Sequence, residues 1–308
     1  MSGIVRLSNS EIQTFKDCRR RWWLTYYRRL KPRNQDMTGA LALGSRIHAA
    51  FEEHYANGVP LLKAHTELVE KDRNILLSEF RDVDTLESEA DLGRIMLEGY
   101  EQWVEEEGID AELEFISSEE TIVMPLFNGE VELQGKIDMR VRRKIDGVRM
   151  FRDFKTVGGS LSDFANLAPM NEQVMTYMLL ESSQNKEGER SEGGIFTMLK
   201  KVRRTASARP PFYDQIEVRH NVFTMRAFWN RIHGTITDLM RVRTALDSGS
   251  DHTQVAYPHA SRDCKWKCQF FTVCTLFDDG SAAEQALTEM FEEGDPYSYY
   301  ENDKKGNE

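Results

Sequence analysis

Two aspartates and a lysine occur on neighbouring segments in which polar and apolar residues alternate. Asp138 lies on the first segment, Asp153 and Lys155 lie on the second, and Asp146-Gly147 between them favours a two-residue hairpin turn. That turn pairs Asp138 with Lys155 and places all three side chains on one face, with opposite residues about 5 Å apart. Two converging carboxylates can hold a divalent cation, and a neighbouring lysine can stabilise the charge that develops during phosphodiester hydrolysis. A simple salt bridge between Asp138 and Lys155 is the alternative.

The cysteines form a second candidate site. Cys264, Cys268 and Cys274 are clustered, and Cys18 near the amino terminus is the only other cysteine in the chain. Four thiolates can saturate one tetrahedral zinc ion or one iron–sulfur cluster. Because no apolar secretory segment begins the sequence, we expect a reducing cytoplasmic setting and no disulfide framework. Metal ligation and buried free thiols both remain open from the residues alone.

Several short motifs occur together in a recognisable order. The segments Gly135-Lys-Ile-Asp138 and Asp153-Phe-Lys155 resemble the Asp and (D/E)xK elements of the PD-(D/E)XK nuclease superfamily, in its RecB-like branch. Ile137 stands where the superfamily's name has a proline. His48 resembles the histidine of this branch that is an additional metal ligand. Gln173 and Tyr177, one helical turn apart, resemble its QxxxY element.

The resemblance implies a role for each matching residue. The implied catalytic residues are Asp138, Asp153, Lys155, Gln173 and Tyr177. The implied ligands of Mg²⁺ or Mn²⁺ are His48, Asp138, Asp153 and the backbone carbonyl of Phe154. In this branch the QxxxY residues help to position the DNA and the lysine.

The cysteine arrangement extends the resemblance. One remote and three clustered cysteines, with Phe270 and Phe271 between the last two, are similar to the iron–sulfur staple of AddB and of CRISPR-associated RecB-like exonucleases. The resemblance implies that Cys18, Cys264, Cys268 and Cys274 hold a [4Fe-4S] cluster, and zinc is the competing metal. The implied role is structural, because the cluster would join the two ends of the domain.

Elements of suitable type surround these residues. Ser8 and Glu11 form a capping-box pattern at the start of a first helix that leads to Cys18, and helical spacing predicts a second helix over Ala40–Tyr55. Alternating patterns predict an antiparallel meander of three strands, and a later helix carries Gln173. The predicted strands are 115–126, 130–143, 148–156, 195–199 and 215–219, and the predicted later helices are 170–183 and 224–246. The expected fold is α/β (α+β), with a restriction-endonuclease-like central mixed β-sheet flanked by helices and a metal-cluster staple joining the terminal segments.

The charge distribution bears on a nucleic-acid partner. The formal charge is −11, but residues 67–120 carry 19 acidic against 4 basic residues, and residues 278–308 carry 10 against 2. The rest of the chain is therefore basic, and an aromatic-rich basic helix begins near Arg19. The predicted DNA-binding residues on it are Arg19, Arg20, Arg21, Arg28 and Arg29.

We expect a nuclease domain over 1–277, with an acidic helical insertion at about 60–111, and an acidic tail over 278–308. The chain has no apolar run long enough for a membrane span and no P-loop motif, which predicts a freestanding nuclease without a helicase motor.

The expected function is a metal-dependent DNA exonuclease that acts on single strands or duplex ends, in recombination, repair or DNA-fragment processing. Its expected partners are DNA and proteins of a recombination or adaptation complex. Two alternatives come from other classes: a nuclease-fold DNA-binding or assembly subunit with dispensable activity, and a zinc-stapled regulatory protein.

Overall fold

The computed structural model describes residues 4–34, 37–187 and 189–300. The strands are β1 Val5–Ser8, β2 Leu30–Pro32, β3 Leu113–Leu126, β4 Val131–Arg143, β5 Arg149–Val157, β6 Ser191–Lys200, β7 Tyr213–Arg219 and β8 Phe291–Glu293. The helices are α1 Asn9–Asp17, α2 Arg19–Trp22, α3 Ala40–Asn57, α4 Leu61–Ser78, α5 Asp84–Glu107, α6 Leu161–Leu167, α7 Glu172–Ser183, α8 Val222–Asp247, α9 His252–Val255, α10 Cys264–Lys267, α11 Phe271–Cys274 and α12 Ala283–Met290. Within the described ranges, no helix combines the length and the apolar composition that crossing a bilayer requires.

The described residues divide into two units. The terminal unit contains those of residues 1–35, 125–134 and 222–308, and the central unit contains those of residues 36–124 and 135–221. The chain passes from one unit to the other within β3 and again within β4.

The central unit contains most of a mixed β-sheet. β4 pairs with β5 in antiparallel fashion, β5 with β6 in parallel, and β6 with β7 in antiparallel fashion, while β3 also pairs with β4. Helices pack on both faces. Phe151 and Phe154 of β5 point to opposite faces because they are three residues apart. Phe151 meets Tyr177 of α7 edge-on, and Phe154 stacks on Phe51 of α3 at 4.0 Å between ring centroids. The predicted α/β fold with a central mixed sheet between helices is confirmed.

The hairpin between β4 and β5 differs from its prediction. Arg143 donates its backbone N–H to the Val148 carbonyl at 2.9 Å, so four residues, 144–147, form the loop instead of two. The Asp146 carboxylate explains the longer loop, because it accepts the Val148 N–H and pairs with the Arg143 guanidinium. The strands therefore pair from Met139↔Arg152 to Arg142↔Arg149. This register is shifted by two residues from the predicted one. Since side chains alternate with a period of two, this shift leaves every residue on its predicted face.

The terminal unit brings distant parts of the sequence together. β1 pairs in parallel with residues 131–134 of β4, and β2 pairs with β8 in antiparallel fashion. As predicted, α1 begins after Ser8, whose side chain accepts the Glu11 N–H at 3.2 Å. The Glu11 carboxylate does not close the capping box, because it accepts a hydrogen bond from the indole of Trp22 instead.

The predicted basic helix consists of α2 and a π-helical segment, Trp23–Tyr27, and ends before Arg28 and Arg29. The acidic segment that begins at Asp278 packs against this basic segment. Asp278 forms a bidentate ion pair with Arg20, at 2.6 and 2.8 Å, and Glu284 forms another with Arg28. Phe291 of β8 is buried and stacks on Phe270. Asp278, Glu284 and Phe291 therefore all contact other parts of this unit, and residues 301–308 of the predicted tail lie outside the described residues.

Candidate active site

The site forms where β4 and β5 stop pairing. Their ladder of paired residues extends to Met139↔Arg152, and at the next position the Asp138 carboxylate accepts the Phe154 N–H at 3.1 Å. The side chain of Asp138 thus replaces a backbone acceptor at the point where the strands separate. Because the N–H and C=O of a strand residue face the same neighbour, the Phe154 carbonyl also faces this opening.

The helix α3 brings His48 to Asp138. The imidazole Nδ1 lies 3.0 Å from Asp138 Oδ2. One turn earlier on the same helix is Gly44, where an added Cβ would lie only 3.2 Å from the Thr156 hydroxyl. A glycine at this position therefore permits the close approach of α3 to β5 that His48 needs.

The helix α7 holds the other side of the site. Asn171 caps this helix through the Gln173 N–H, which places the Gln173 side chain in its first turn. Gln173 Oε1 accepts a hydrogen bond from the Lys155 ammonium at 3.2 Å, and Nε2 donates to Tyr177 Oη at 3.0 Å and, at 3.4 Å, to Asp153. The Tyr177 hydroxyl in turn donates to the Lys136 carbonyl of β4 at 2.9 Å. Gln173 and Tyr177, one helical turn apart, thus connect α7 to both β4 and β5.

The charges of the site balance each other in pairs. Lys155 Nζ lies 2.7 Å from Asp153 Oδ2. Burial, together with the neighbouring Asp138 charge, raises the pKa of Asp153 to about 6, although Lys155 opposes that shift. Burial also disfavours the charged forms of His48 and Asp138, but their mutual attraction outweighs it, so the pKa of His48 is raised and that of Asp138 is lowered.

The donor set of the site suits a hard divalent cation. Two buried carboxylates repel each other when both are ionised, and a cation between them would relieve that repulsion. The side chains are not arranged around an ion, however: no group of three His, Cys, Asp or Glu residues in the described part of the chain has a metal-binding arrangement. His48 instead contacts Asp138 directly, through its Nδ1 atom.

Comparison with known proteins agrees with this geometry. A family model of the PD-(D/E)XK nuclease superfamily matches residues 6–275. The chain belongs to this superfamily. No match was found among curated proteins. PD-(D/E)XK nucleases are hydrolases that use divalent metals such as Mg²⁺ or Mn²⁺, so membership makes this chain a metal-dependent nuclease by family.

The PD-(D/E)XK chain also brings its cysteines together, in the terminal unit. One cavity of about 300 Å³ is lined by all four of them, Cys18, Cys264, Cys268 and Cys274. Backbone N–H groups of His259 and Ser261 donate to the sulfurs of Cys18 and Cys264, at 3.4 and 3.3 Å. Burial raises the pKa of Cys268 and Cys274, and the other thiols act in the same direction. The cysteines form no disulfide, and no metal-binding geometry is present among them.

The predicted DNA-binding arginines have different surroundings. Arg20 is 1% exposed, and besides Asp278 it donates to the Cys274 carbonyl at 3.0 Å. Its guanidinium therefore has a structural role in place of the predicted DNA contact. Arg19 pairs with Asp238, and Arg28 pairs with Glu284. Arg21 lies 3.7 Å from Asp17, and Arg29 has a left-handed backbone conformation. For these four residues the DNA contact stays a prediction.

A buried arginine supports the site from behind and was not predicted from the sequence. Arg152, between Phe151 and Asp153, is 1% exposed and donates to Asp110 at 2.6 Å and to the Tyr100 hydroxyl at 3.1 Å. Its guanidinium also lies over the Phe154 ring. An arginine at a strand position that faces the core was the available signal, because such a charge requires buried partners.

Proposed function

We propose that the chain is a RecB-like nuclease that degrades DNA from single strands or duplex ends, in recombination, repair or DNA-fragment processing. The observation that carries this proposal is the contact network of His48, Asp138, Asp153, Lys155 and Gln173 at one opening of the sheet. A module that only binds DNA has no need of a buried carboxylate pair with a lysine beside it.

The roles of the residues follow from their positions. Asp138, Asp153 and the Phe154 carbonyl would hold Mg²⁺ or Mn²⁺, with His48 as an additional ligand. The bound cation would polarise a phosphate oxygen and lower the pKa of a coordinated water. Lys155, kept charged by both aspartates, stabilises the negative charge that develops on the phosphate, and its raised pKa agrees with this role. Gln173 fixes the Lys155 ammonium, and Tyr177 fixes Gln173.

Nuclease activity is tested on end-labelled single- and double-stranded DNA with Mg²⁺ or Mn²⁺. We expect wild type to shorten the DNA progressively from an end, and Asp153→Asn and Lys155→Met to abolish this. Glu105→Gln removes an exposed carboxylate on α5 and serves as the control that keeps full activity. Degradation that survives both site substitutions would show that the site is misplaced. Internal cuts without end dependence would show an endonuclease, and inactivity with every metal would favour a binding or regulatory protein.

We also propose that the four cysteines hold a [4Fe-4S] cluster. Their shared cavity and the N–H groups directed at two of the sulfurs support this proposal, since such donors stabilise thiolates bound to a cluster. Protein purified without oxygen should be brown, with a broad absorption band near ~400 nm and about four iron atoms per chain. Colourless protein with one equivalent of zinc would instead assign a zinc site.

A further inference from the structure

Lys201 lies at the same end of the sheet as the catalytic lysine. β5 and β6 are parallel, with Lys155 beside Met198 and Val157 beside Lys200. The chain leaves β6 directly after Lys200, and the Lys201 N–H donates to the Val157 carbonyl at 2.8 Å. The Lys201 backbone is therefore fixed beside the end of the strand that carries Asp153 and Lys155. Alternation along the strands places its side chain on the face covered by α3, which supplies His48, and not on the face of Lys155.

The side chain of Lys201 packs along the loop that follows β5. Its Cε lies 3.8 Å from the position that a Cβ on Gly158 would occupy, which is an ordinary van der Waals distance. Lys201 is half-buried, and this burial lowers its pKa. No acidic partner compensates for that burial among the residues that the structure describes.

Neighbouring cations of the same segment have partners that Lys201 lacks. Arg203 pairs with Asp91 and donates to the Ser88 carbonyl. Arg204 lies over the Phe212 ring, 3.8 Å from its centroid, and donates to the Tyr213 hydroxyl. These arginines hold the segment in place, whereas no carboxylate of the described residues neutralises the ammonium of Lys201.

We propose that Lys201 binds a backbone phosphate of the nucleic-acid substrate, adjacent to the phosphate that is cleaved. A half-buried ammonium without a counter-charge is unfavourable, and an anionic ligand removes that cost. A phosphate is the anion that a nuclease substrate presents next to its scissile bond. Lys201 is thus a positioning residue for the substrate, while Lys155 acts on the reacting phosphate. This inference rests on the proposed nuclease function.

The test compares Lys201→Met, which keeps the aliphatic stem and removes the charge, with Lys201→Arg. Lys186→Met is the matched control, because Lys186 is an exposed lysine in the loop at the opposite end of β6. Cleavage of a labelled oligonucleotide by each variant gives kcat and KM. Binding of the same oligonucleotide is measured in an Asp153→Asn background over a range of salt concentrations.

We expect Lys201→Met to raise KM about tenfold with kcat changed less than about threefold, because a contact present before and during the reaction is lost. The slope of log K against log salt concentration should fall in magnitude by about 0.7 for single-stranded DNA, the value for one phosphate contact. Lys201→Arg should restore most of the affinity, and Lys186→Met should behave as wild type.

A methylphosphonate scan locates the contact. One neutral linkage should weaken binding of the Lys201 protein about tenfold and leave binding of Lys201→Met unchanged. Equal losses in both proteins at every position would overturn the inference, as would an unchanged KM and salt slope in Lys201→Met while wild type cleaves DNA. If wild type neither cleaves nor binds nucleic acid, the proposed function fails and this inference fails with it.

Discussion

Gln173 shows how one neutral side chain can organise a charged site. Its amide contacts Lys155 through the oxygen and Asp153 and Tyr177 through the nitrogen. The amide therefore restrains the Lys155 ammonium and the Asp153 carboxylate, whose side chains could otherwise rotate. Such supporting hydrogen bonds orient reactive groups without taking part in the chemistry themselves.

We predict that Gln173→Ala lowers the single-turnover cleavage rate by about 10- to 100-fold, because Lys155 loses its orienting acceptor. The free energy of unfolding should change little, since the substituted side chain is only partly buried. Gln184→Ala, at the exposed end of the same helix, is the control and should cleave at the normal rate. A normal rate in Gln173→Ala would remove Gln173 from the catalytic set.

Glu11 makes the stability of the terminal unit depend on pH. Burial raises its pKa from 4.5 to about 7, against the opposing hydrogen bond from Trp22. The folded state therefore binds a proton more tightly than the unfolded state, and stability should fall as the pH rises from about 4.5 to about 7, by on the order of 2 to 3 kcal/mol. Denaturant unfolding across this range should show that slope in wild type and a much smaller one in Glu11→Gln. Equal slopes in the two proteins would exclude Glu11 as the cause.

The elements of the fold were largely predictable from the sequence. Alternating patterns and turn residues located β3, β4 and β5 to within two residues of their observed ends. The pairing register of β4 and β5 was not predictable. It depends on the loop length, which in turn depends on whether the Asp146 carboxylate bonds to Arg143 and Val148, and no pattern of residue types reveals that. Asp138, Asp153 and Lys155 still lie on the predicted face of the sheet, because a shift by an even number of residues does not change the face.

Contacts between residues that are far apart in the sequence could not be predicted either. Charge counts identified the basic helix and the acidic segment, but not that Arg20 and Asp278 neutralise each other. Likewise, the aspartate and lysine motifs were readable locally, whereas the ion pair of Asp153 with Lys155, rather than Asp138 with Lys155, depends on side-chain directions in the folded sheet. Contacts of this kind depend on the folded arrangement of distant residues, which local residue patterns do not contain.

The packing of β5 against β6 depends on a missing side chain. A Cβ at Gly194 would lie 1.9 Å from the Phe151 ring, and Phe151 is fully buried. We predict that Gly194→Ala destabilises the protein by about 2 kcal/mol or more, through overpacking of this strand pair. Adding Phe151→Leu should recover part of the loss in chemical denaturation. Gly234→Ala, on α8 with open space around it, should not destabilise the protein.

The ion pair between Arg20 and Asp278 joins segments that are far apart in the sequence, both within the terminal unit. Asp278→Ala leaves the buried guanidinium without its carboxylate, and we predict a loss of about 1 to 3 kcal/mol in the free energy of unfolding. Glu289→Ala, an exposed carboxylate of α12, is the control and should cost less than about 0.5 kcal/mol. Equal stability of the two variants would show that the pair is not needed.

The division of the sequence between the units has a consequence for synthesis on the ribosome. Cys18 emerges early, whereas its three companions follow more than two hundred residues later. At about 5 to 20 residues per second, the first thiol waits from about 12 to about 50 seconds for the others. The whole central unit is synthesised during that interval, whereas the terminal unit is still incomplete. Any cofactor that needs all four cysteines is therefore acquired only after Cys274 has been synthesised, when the nuclease motifs are already present.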